Sequence, residues 1–195
     1  MINKLERRIE EKAVISISEK GLYLNKIFSD GFEYIFPSRQ ISSIYYENAN
    51  FDIYKDSVEG VVPRKKIRVR EKLGNLYLEE KIKRQDGKYK RSKQIKHYPK
   101  VIHDQFYGLV KEICKITYNR SYLGNSKIRL TIDSDLKFEN LRNRYVFNMN
   151  NIFILEYKIL DNFTSSENFI NSYKELNSFK FSKYEQAVNK VFYIK

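Results

Sequence analysis

A chain of 195 residues fits one domain. Lys and Arg number 37 against 24 Asp and Glu, a formal net charge of +13, and that surplus calls for an anionic partner: nucleic acid, anionic lipid or a phosphate-rich small molecule. The single cysteine, Cys114, excludes an intrachain disulfide, and with only two histidines it excludes a His/Cys zinc site of the usual kind. Abundant Tyr and Phe (16 and 13) with few Gly and Pro (7 and 3) favour β-structure over disorder. The start, Met1-Ile2-Asn3-Lys4, lacks the apolar stretch of a signal peptide. No apolar run approaches the roughly 20 residues that span a bilayer. A soluble, cytoplasmic chain without a transmembrane segment is expected.

In chain order, residues 8–16 open a series of strands whose charged and apolar positions alternate with period two. Arg8, Glu10 and Lys12 stand opposite Ile9 and Ile15, with Glu11 breaking the pattern. A helix is predicted over 18–30 and a short strand over 42–47. Residues 64–70 put Arg64, Lys66, Arg68 and Arg70 on one face and Lys65, Ile67 and Val69 on the other. Lys65, like Lys72, is expected to point outward and matter little. Residues 77–83 set Glu79, Lys81 and Lys83 opposite Leu78 and Ile82, and a basic strand with Lys90 and Arg91 follows over 88–95.

Ile102, Phe106, Leu109, Val110 and Ile113 stand at helical spacing and predict a helix over 102–114. Strands are predicted over 116–122 and over 127–133, where Lys127, Arg129, Thr131 and Asp133 oppose Ile128, Leu130 and Ile132. A short strand at 144–149 leads to 152–160, with Glu156 and Lys158 opposite Phe153, Leu155, Tyr157 and Ile159. A helix is predicted over 165–177. Ser182, with Glu185 three residues on, has the capping-box spacing and predicts a last helix from about 183.

Two arrangements accommodate such strands. One is a sheet with its charged face in water. The other is a barrel with apolar positions outward against helices and polar positions around a lumen. Charged faces made mostly of Arg and Lys, repeated over five strands, favour the barrel. Cations crowded into such a lumen repel one another unless a polyanion fills it. The predicted fold is α+β, one domain over 1–195: a closed antiparallel β-barrel of about eight strands with surrounding helices. Nucleic-acid binding fits poorly, because most aromatics share the apolar faces instead of an exposed basic one.

Several segments share an order with a known family. They are Arg8-Ile9-Glu10-Glu11-Lys12, Ser43 to Asn48 with Tyr54, Arg64 to Arg70, Leu78-Glu79-Glu80-Lys81, Lys88 to Arg91, Thr117 to Tyr122, Ile128 to Asp133, Leu155-Glu156-Tyr157-Lys158 and Phe181-Ser182-Lys183-Tyr184. Together, from about residue 6 to 190, they resemble the VTC domain, the polyphosphate polymerase domain of the vacuolar transporter chaperone complex. That domain belongs to the triphosphate tunnel metalloenzymes, a CYTH-like superfamily. Tyr46-Glu47 stands where the family has Phe-Asp, and 92–115 matches only loosely.

The resemblance implies an ATP-dependent polyphosphate polymerase, a transferase that moves the γ-phosphate of ATP onto a growing chain in a basic tunnel. The partners are then ATP and inorganic polyphosphate, and a membrane partner stays open. The alternatives are a tunnel triphosphatase or a non-catalytic polyphosphate or nucleotide sensor. The resemblance points to Lys12, Arg68, Arg70 and Lys183 for catalysis. It points to Arg8, Arg64, Lys66, Lys81, Lys83, Lys90, Arg91, Arg120, Arg129 and Lys158 for phosphate contact. Such residues suit the task, since Arg grips phosphate bidentately and Lys acts as a point charge. Mn²⁺ or Mg²⁺ is implied, with Glu156 as the foremost carboxylate and Glu10 and Glu79 behind it. Hydrolytic tunnel enzymes open with E-x-E-x-K. Arg8 in place of the first Glu weakens a metal site there and tilts the reading toward the polymerase.

Overall fold

The computed structural model describes residues 3–4, 8–125, 128–160 and 181–193, with the backbone alone at 3–4, 8–10 and 159–160. Its framework is one antiparallel sheet of eleven strands: β1 (Asn3–Lys4), β2 (Arg8–Ser16), β3 (Glu33–Glu47), β4 (Arg64–Lys72), β5 (Asn75–Arg84), β6 (Gly87–Ile95), β7 (Val101–Asp104), β8 (Gly108–Gly124), β9 (Ile128–Asn140), β10 (Val146–Met149) and β11 (Ile152–Leu160). The order is β1-β6-β5-β4-β3-β8-β9-β11-β2, with β7 added beside β8 and β10 beside β9. Among the described residues three helices accompany it: α1 (Lys20–Ser29), α2 (Asp52–Glu59) and α3 (Lys183–Phe192). The fold is α+β, as expected. The helix predicted over 165–177 lies outside the described residues.

Closure into an eight-stranded barrel is corrected by the pairing. β1 contributes only two residues to β6, through Asn3↔Lys90 and Lys4↔Tyr89. The next strand, β2, gives its ladder to β11 over nine paired positions at the far end of the order. The two ends of the hydrogen-bonded path are therefore β1 and β2, and among the described residues no ladder joins them.

The helix expected at 102–114 is instead a hairpin of β7 and β8. Asp104 Oδ1 accepts the backbone N–H groups of Phe106 and Tyr107 at 2.9 and 3.1 Å, an Asx turn that competes with helix. Gly108 follows at φ +66°, where an L side chain is strained. A bulge in β8 opposite Tyr45 and Tyr46 then switches the alternation between Glu112 and Cys114. That phase change leaves Val110 and Ile113 both buried three residues apart, a spacing that imitates a helix.

The α2 helix was not foreseen. Its N-cap position, Phe51, has φ 58° and no capping side chain. The cap comes from Glu47 at the end of β3, which accepts the N–H groups of Ile53 and Tyr54 at 3.1 and 2.8 Å. Glu47 also accepts the hydroxyl of Tyr184. At the position where the family motif carries Asp, this carboxylate thus joins α2 to α3. Tyr184, Ala187, Val188 and Val191 of α3 pack into the core with Tyr45, Cys114, Ile116, Tyr118 and Phe138. A second cluster, with Tyr23 and Ile27 of α1, covers β2, β9 and β11.

Candidate functional site

Register carries the predicted cations onto one side of the sheet, since directly paired residues share a face. Lys66↔Lys81↔Lys90 and Arg68↔Glu79 run across β4, β5 and β6. Ser43↔Arg70 and Tyr45↔Arg68 extend the row to β3. On the far side Arg120↔Asp133 and Tyr122↔Thr131 join β8 to β9. Thr131↔Glu156↔Lys12 and Arg129↔Lys158 continue through β11 to β2. Lys83, paired with Arg64, stands at the exposed end of the same row. Arg8 and Glu10 fall in the same phase of β2, and their side chains lie outside the described residues.

Three buried carboxylates hold the cations in place. Glu79 Oε2 accepts from Arg68 at 3.0 and 2.7 Å, and Oε1 takes Lys72 and Lys90, the latter at 2.9 Å. Asp133 receives two bonds from Arg120 at 2.6 and 2.7 Å and lies 2.6 Å from Lys183 Nζ. Glu156 lies 3.1 Å from Lys158 and 3.9 Å from Arg120. Burial pushes each acid's pKa up, and the surrounding cations overcome it. Arg68, Lys72 and Lys90 hold Glu79 well below the usual range. Arg120 and Lys183 lower Asp133, and Lys158, Lys12 and Arg120 lower Glu156.

α3 brings its N-terminus to this face. Ser182 caps the helix by accepting from Glu185 N–H, and its Oγ also accepts from Lys66 at 2.8 Å. Lys66 lies 3.1 Å from Glu185, and Lys12 donates to the carbonyl of Phe181 at 3.4 Å. Burial lowers the pKa of Lys66, with Glu185 opposing that effect and Lys12 adding to it. Arg70 makes its hydrogen bonds to uncharged partners, Ser43 Oγ at 3.1 Å and Tyr118 OH at 3.2 Å. Thr131 takes the place on this face that its phase beside Arg129 and Asp133 predicts, whereas Ser43 and Tyr45 join it only through register opposite Arg70 and Arg68.

Four residues depart from expectation. Arg64 bends onto the carbonyls of Gly60 and Val61 at 2.8 and 2.6 Å. Arg91 stands on the opposite face, 3.6 Å from Glu80. Lys65 is not a bystander: it is buried, bound to Asp104, and 3.5 Å from Glu80. Lys72 is drawn onto the cationic face by Glu79.

Among the described residues no three His, Cys, Asp or Glu side chains converge on one point. Glu79 does not fit a metal, because both its oxygens are taken by cations. Glu156 is held more loosely, by Lys158 at 3.1 Å on one oxygen and Arg120 at 3.9 Å on the other. It is a single buried carboxylate beside the buried Thr131 hydroxyl, which has no hydrogen-bond partner among the described residues. A hard divalent cation is often held by one carboxylate plus substrate phosphates.

A model of the VTC domain matches residues 4–113. No curated protein matches the chain in sequence. The fold is shared with a protein from Bacillus halodurans described as a candidate adenylate cyclase, at TM-score 0.58 and 14% identity over 91% of this chain and 93% of that one. It is shared with a Pyrococcus horikoshii protein at TM-score 0.53 and 17% identity over 96% and 99%. It is shared also with a Hippeastrum adenylyl cyclase candidate described as having a dominant triphosphatase activity, at TM-score 0.52 and 13% identity over 95% and 96%.

Proposed function

The chain belongs to the VTC domain family, whose model matches more than half of it, and from that premise we propose that it is an inorganic polyphosphate polymerase. The terminal oxygen of a polyphosphate attacks the γ-phosphorus of ATP, the β–γ bridge breaks, and ADP leaves. Such a transfer needs in-line positioning and charge neutralisation more than a covalent catalyst.

The observation that carries this reading is the geometry of Arg70. It lies on the face shared by Arg68, Arg120 and Lys12, yet its hydrogen bonds go to Ser43 and Tyr118. Its charge is thereby available to a phosphate, whereas Arg68 and Arg120 are oriented by Glu79 and Asp133. Lys12, Arg68, Arg70 and Lys183 neutralise the transferred phosphoryl group. Arg8, Lys66, Lys81, Lys83, Lys90, Arg120, Arg129 and Lys158 hold the phosphates before and after it. Glu156 is the carboxylate for Mn²⁺ or Mg²⁺, which when bound draws charge from phosphate oxygens.

A triphosphatase is the second reading, favoured by the fold shared with the Hippeastrum protein. Arg8 in the opening strand argues against it. The test is to incubate the protein with ATP and Mn²⁺ or Mg²⁺ and resolve the products. Long-chain polyphosphate with stoichiometric ADP is expected. Free phosphate without polymer sinks the polymerase, and tight polyphosphate binding without turnover makes the chain a sensor.

A further inference from the structure

The side of the sheet turned away from the cationic face carries its own cluster of positive charge. Lys65, Arg84 and Arg91 line a cavity of about 130 Å³ with Phe106 and Tyr107, and Arg64, whose phase is that of the cationic face, borders it as well. The two nearby carboxylates, Glu80 and Asp104, are both engaged by Lys65. Arg64 gives its bonds to two backbone carbonyls, Arg84 lies 5.5 Å over the ring of Tyr89, and Arg91 stays 3.6 Å from Glu80. Arg91 shares Glu80 with Lys65, so three guanidinium groups and one ammonium border one small space against the two carboxylates Glu80 and Asp104, and the cluster keeps a surplus of positive charge.

The wall facing them is fixed in advance. Asp104 holds the turn by accepting the N–H groups of Phe106 and Tyr107 and is itself bound to Lys65. The turn presents Phe106 at the rim, 67% exposed, with Lys65 Nζ 5.1 Å from its ring centre. A large aromatic ring left in water beside a pocket of cations is a stacking surface.

We propose that this outer cavity is a second anion site, separate from the cationic face, which takes the phosphate of a small phosphomonoester whose planar ring lies on Phe106. Arg is suited to the phosphate, since its fork gives two parallel bonds. The cavity is smaller than the roughly 300 Å³ at which drug-sized pockets begin. It therefore admits the phosphate group and leaves the remainder of the ligand over the rim.

The chain contains no tryptophan, so Phe106→Trp creates a single tryptophan at this pocket, which can be excited at wavelengths where tyrosine does not absorb. Titration with inorganic phosphate and with adenosine 5′-monophosphate, at constant ionic strength, should change its emission saturably, the nucleotide binding more tightly. Adding Arg84→Gln with Arg91→Gln should weaken both by tenfold or more, and adding Arg70→Ala should leave both unchanged. Calorimetry on the chain without the tryptophan should show one fewer nucleotide bound per chain after Arg84→Gln with Arg91→Gln. The proposal is overturned by a flat emission with an unaltered stoichiometry, by an equal response to sodium chloride, or by a response that vanishes with Arg70→Ala. Equal affinity for phosphate and nucleotide overturns the role given to Phe106.

Discussion

Lys183 Nζ lies 2.6 Å from Asp133 Oδ2, and this contact ties the first turn of α3 to β9. The same carboxylate grips Arg120 through two bonds, so one buried acid sets two of the proposed phosphate ligands. Asp133→Asn removes the counter-charge of Lys183 and leaves Arg120 with only the more distant Glu156, at 3.9 Å. Breaking a buried pair by removing one partner costs about 3–5 kcal/mol. A loss of that size in urea unfolding is expected, with Lys183→Ala costing less because Arg120 remains paired. A stability change within error for Asp133→Asn would show that the carboxylate does not organise this end of the face.

Glu47 joins three elements. It caps α2 through Ile53 and Tyr54 and takes the hydroxyl of Tyr184 in α3. Glu47→Ala strands buried donors, and each unsatisfied group costs roughly 1–3 kcal/mol. The variant should unfold at markedly lower urea concentration. Tyr184→Phe, which removes one bond and keeps the ring stacked on Tyr45 at 5.2 Å, should lose only about 1 kcal/mol. Equal losses in the two variants would mean that α2 draws nothing from its carboxylate cap.

The alternating strands were the legible part of this chain. The phase of Arg64 to Arg70, of Lys81 against Glu79, and of Arg129 against Asp133 already puts the cations on common faces, because period two is imposed by the pleat. Ser182 and Glu185 announced α3 through their spacing. The hairpin at 101–110 was hidden, since the bulge in β8 counterfeits helical periodicity. α2 was hidden because its cap comes from Glu47, four residues before the helix's N-cap position. Nor does period two reveal where a long side chain ends. Arg64 has the right phase and turns to backbone carbonyls, and Lys65 has the outward phase and is buried by Asp104.

The acid response follows from the carboxylates. Glu79, Asp133 and Glu156 titrate below their ordinary values in the folded chain. Each therefore contributes stability that is fully present above its unfolded pKa, near 4, and is lost as pH falls through the lowered folded value. Glu47, raised by burial, acts in the opposite sense, losing its contribution as pH rises. With three groups against one, unfolding free energy should fall as pH drops below about 5. Glu79→Gln should be less stable than wild type at neutral pH and show a shallower acid slope. A parallel pair of pH profiles would refute the role given to Glu79.

Arg70 separates binding from folding more cleanly than its neighbours. Arg68 and Arg120 each satisfy a buried acid, so their removal damages the fold as well as the site. Arg70→Ala removes bonds only to Ser43 and Tyr118, and its unfolding free energy should change little. A charge-assisted bond contributes about 1.5–3 kcal/mol, so polyphosphate affinity in titration calorimetry should drop roughly 10- to 100-fold. Salt dependence should become shallower as one cation leaves the face. Arg70→Lys restores the charge without the fork and should recover only part of the affinity. An Arg70→Ala variant that binds polyphosphate like wild type would break the link between this face and its ligand, because no other arginine there is held by hydroxyls alone among the described residues.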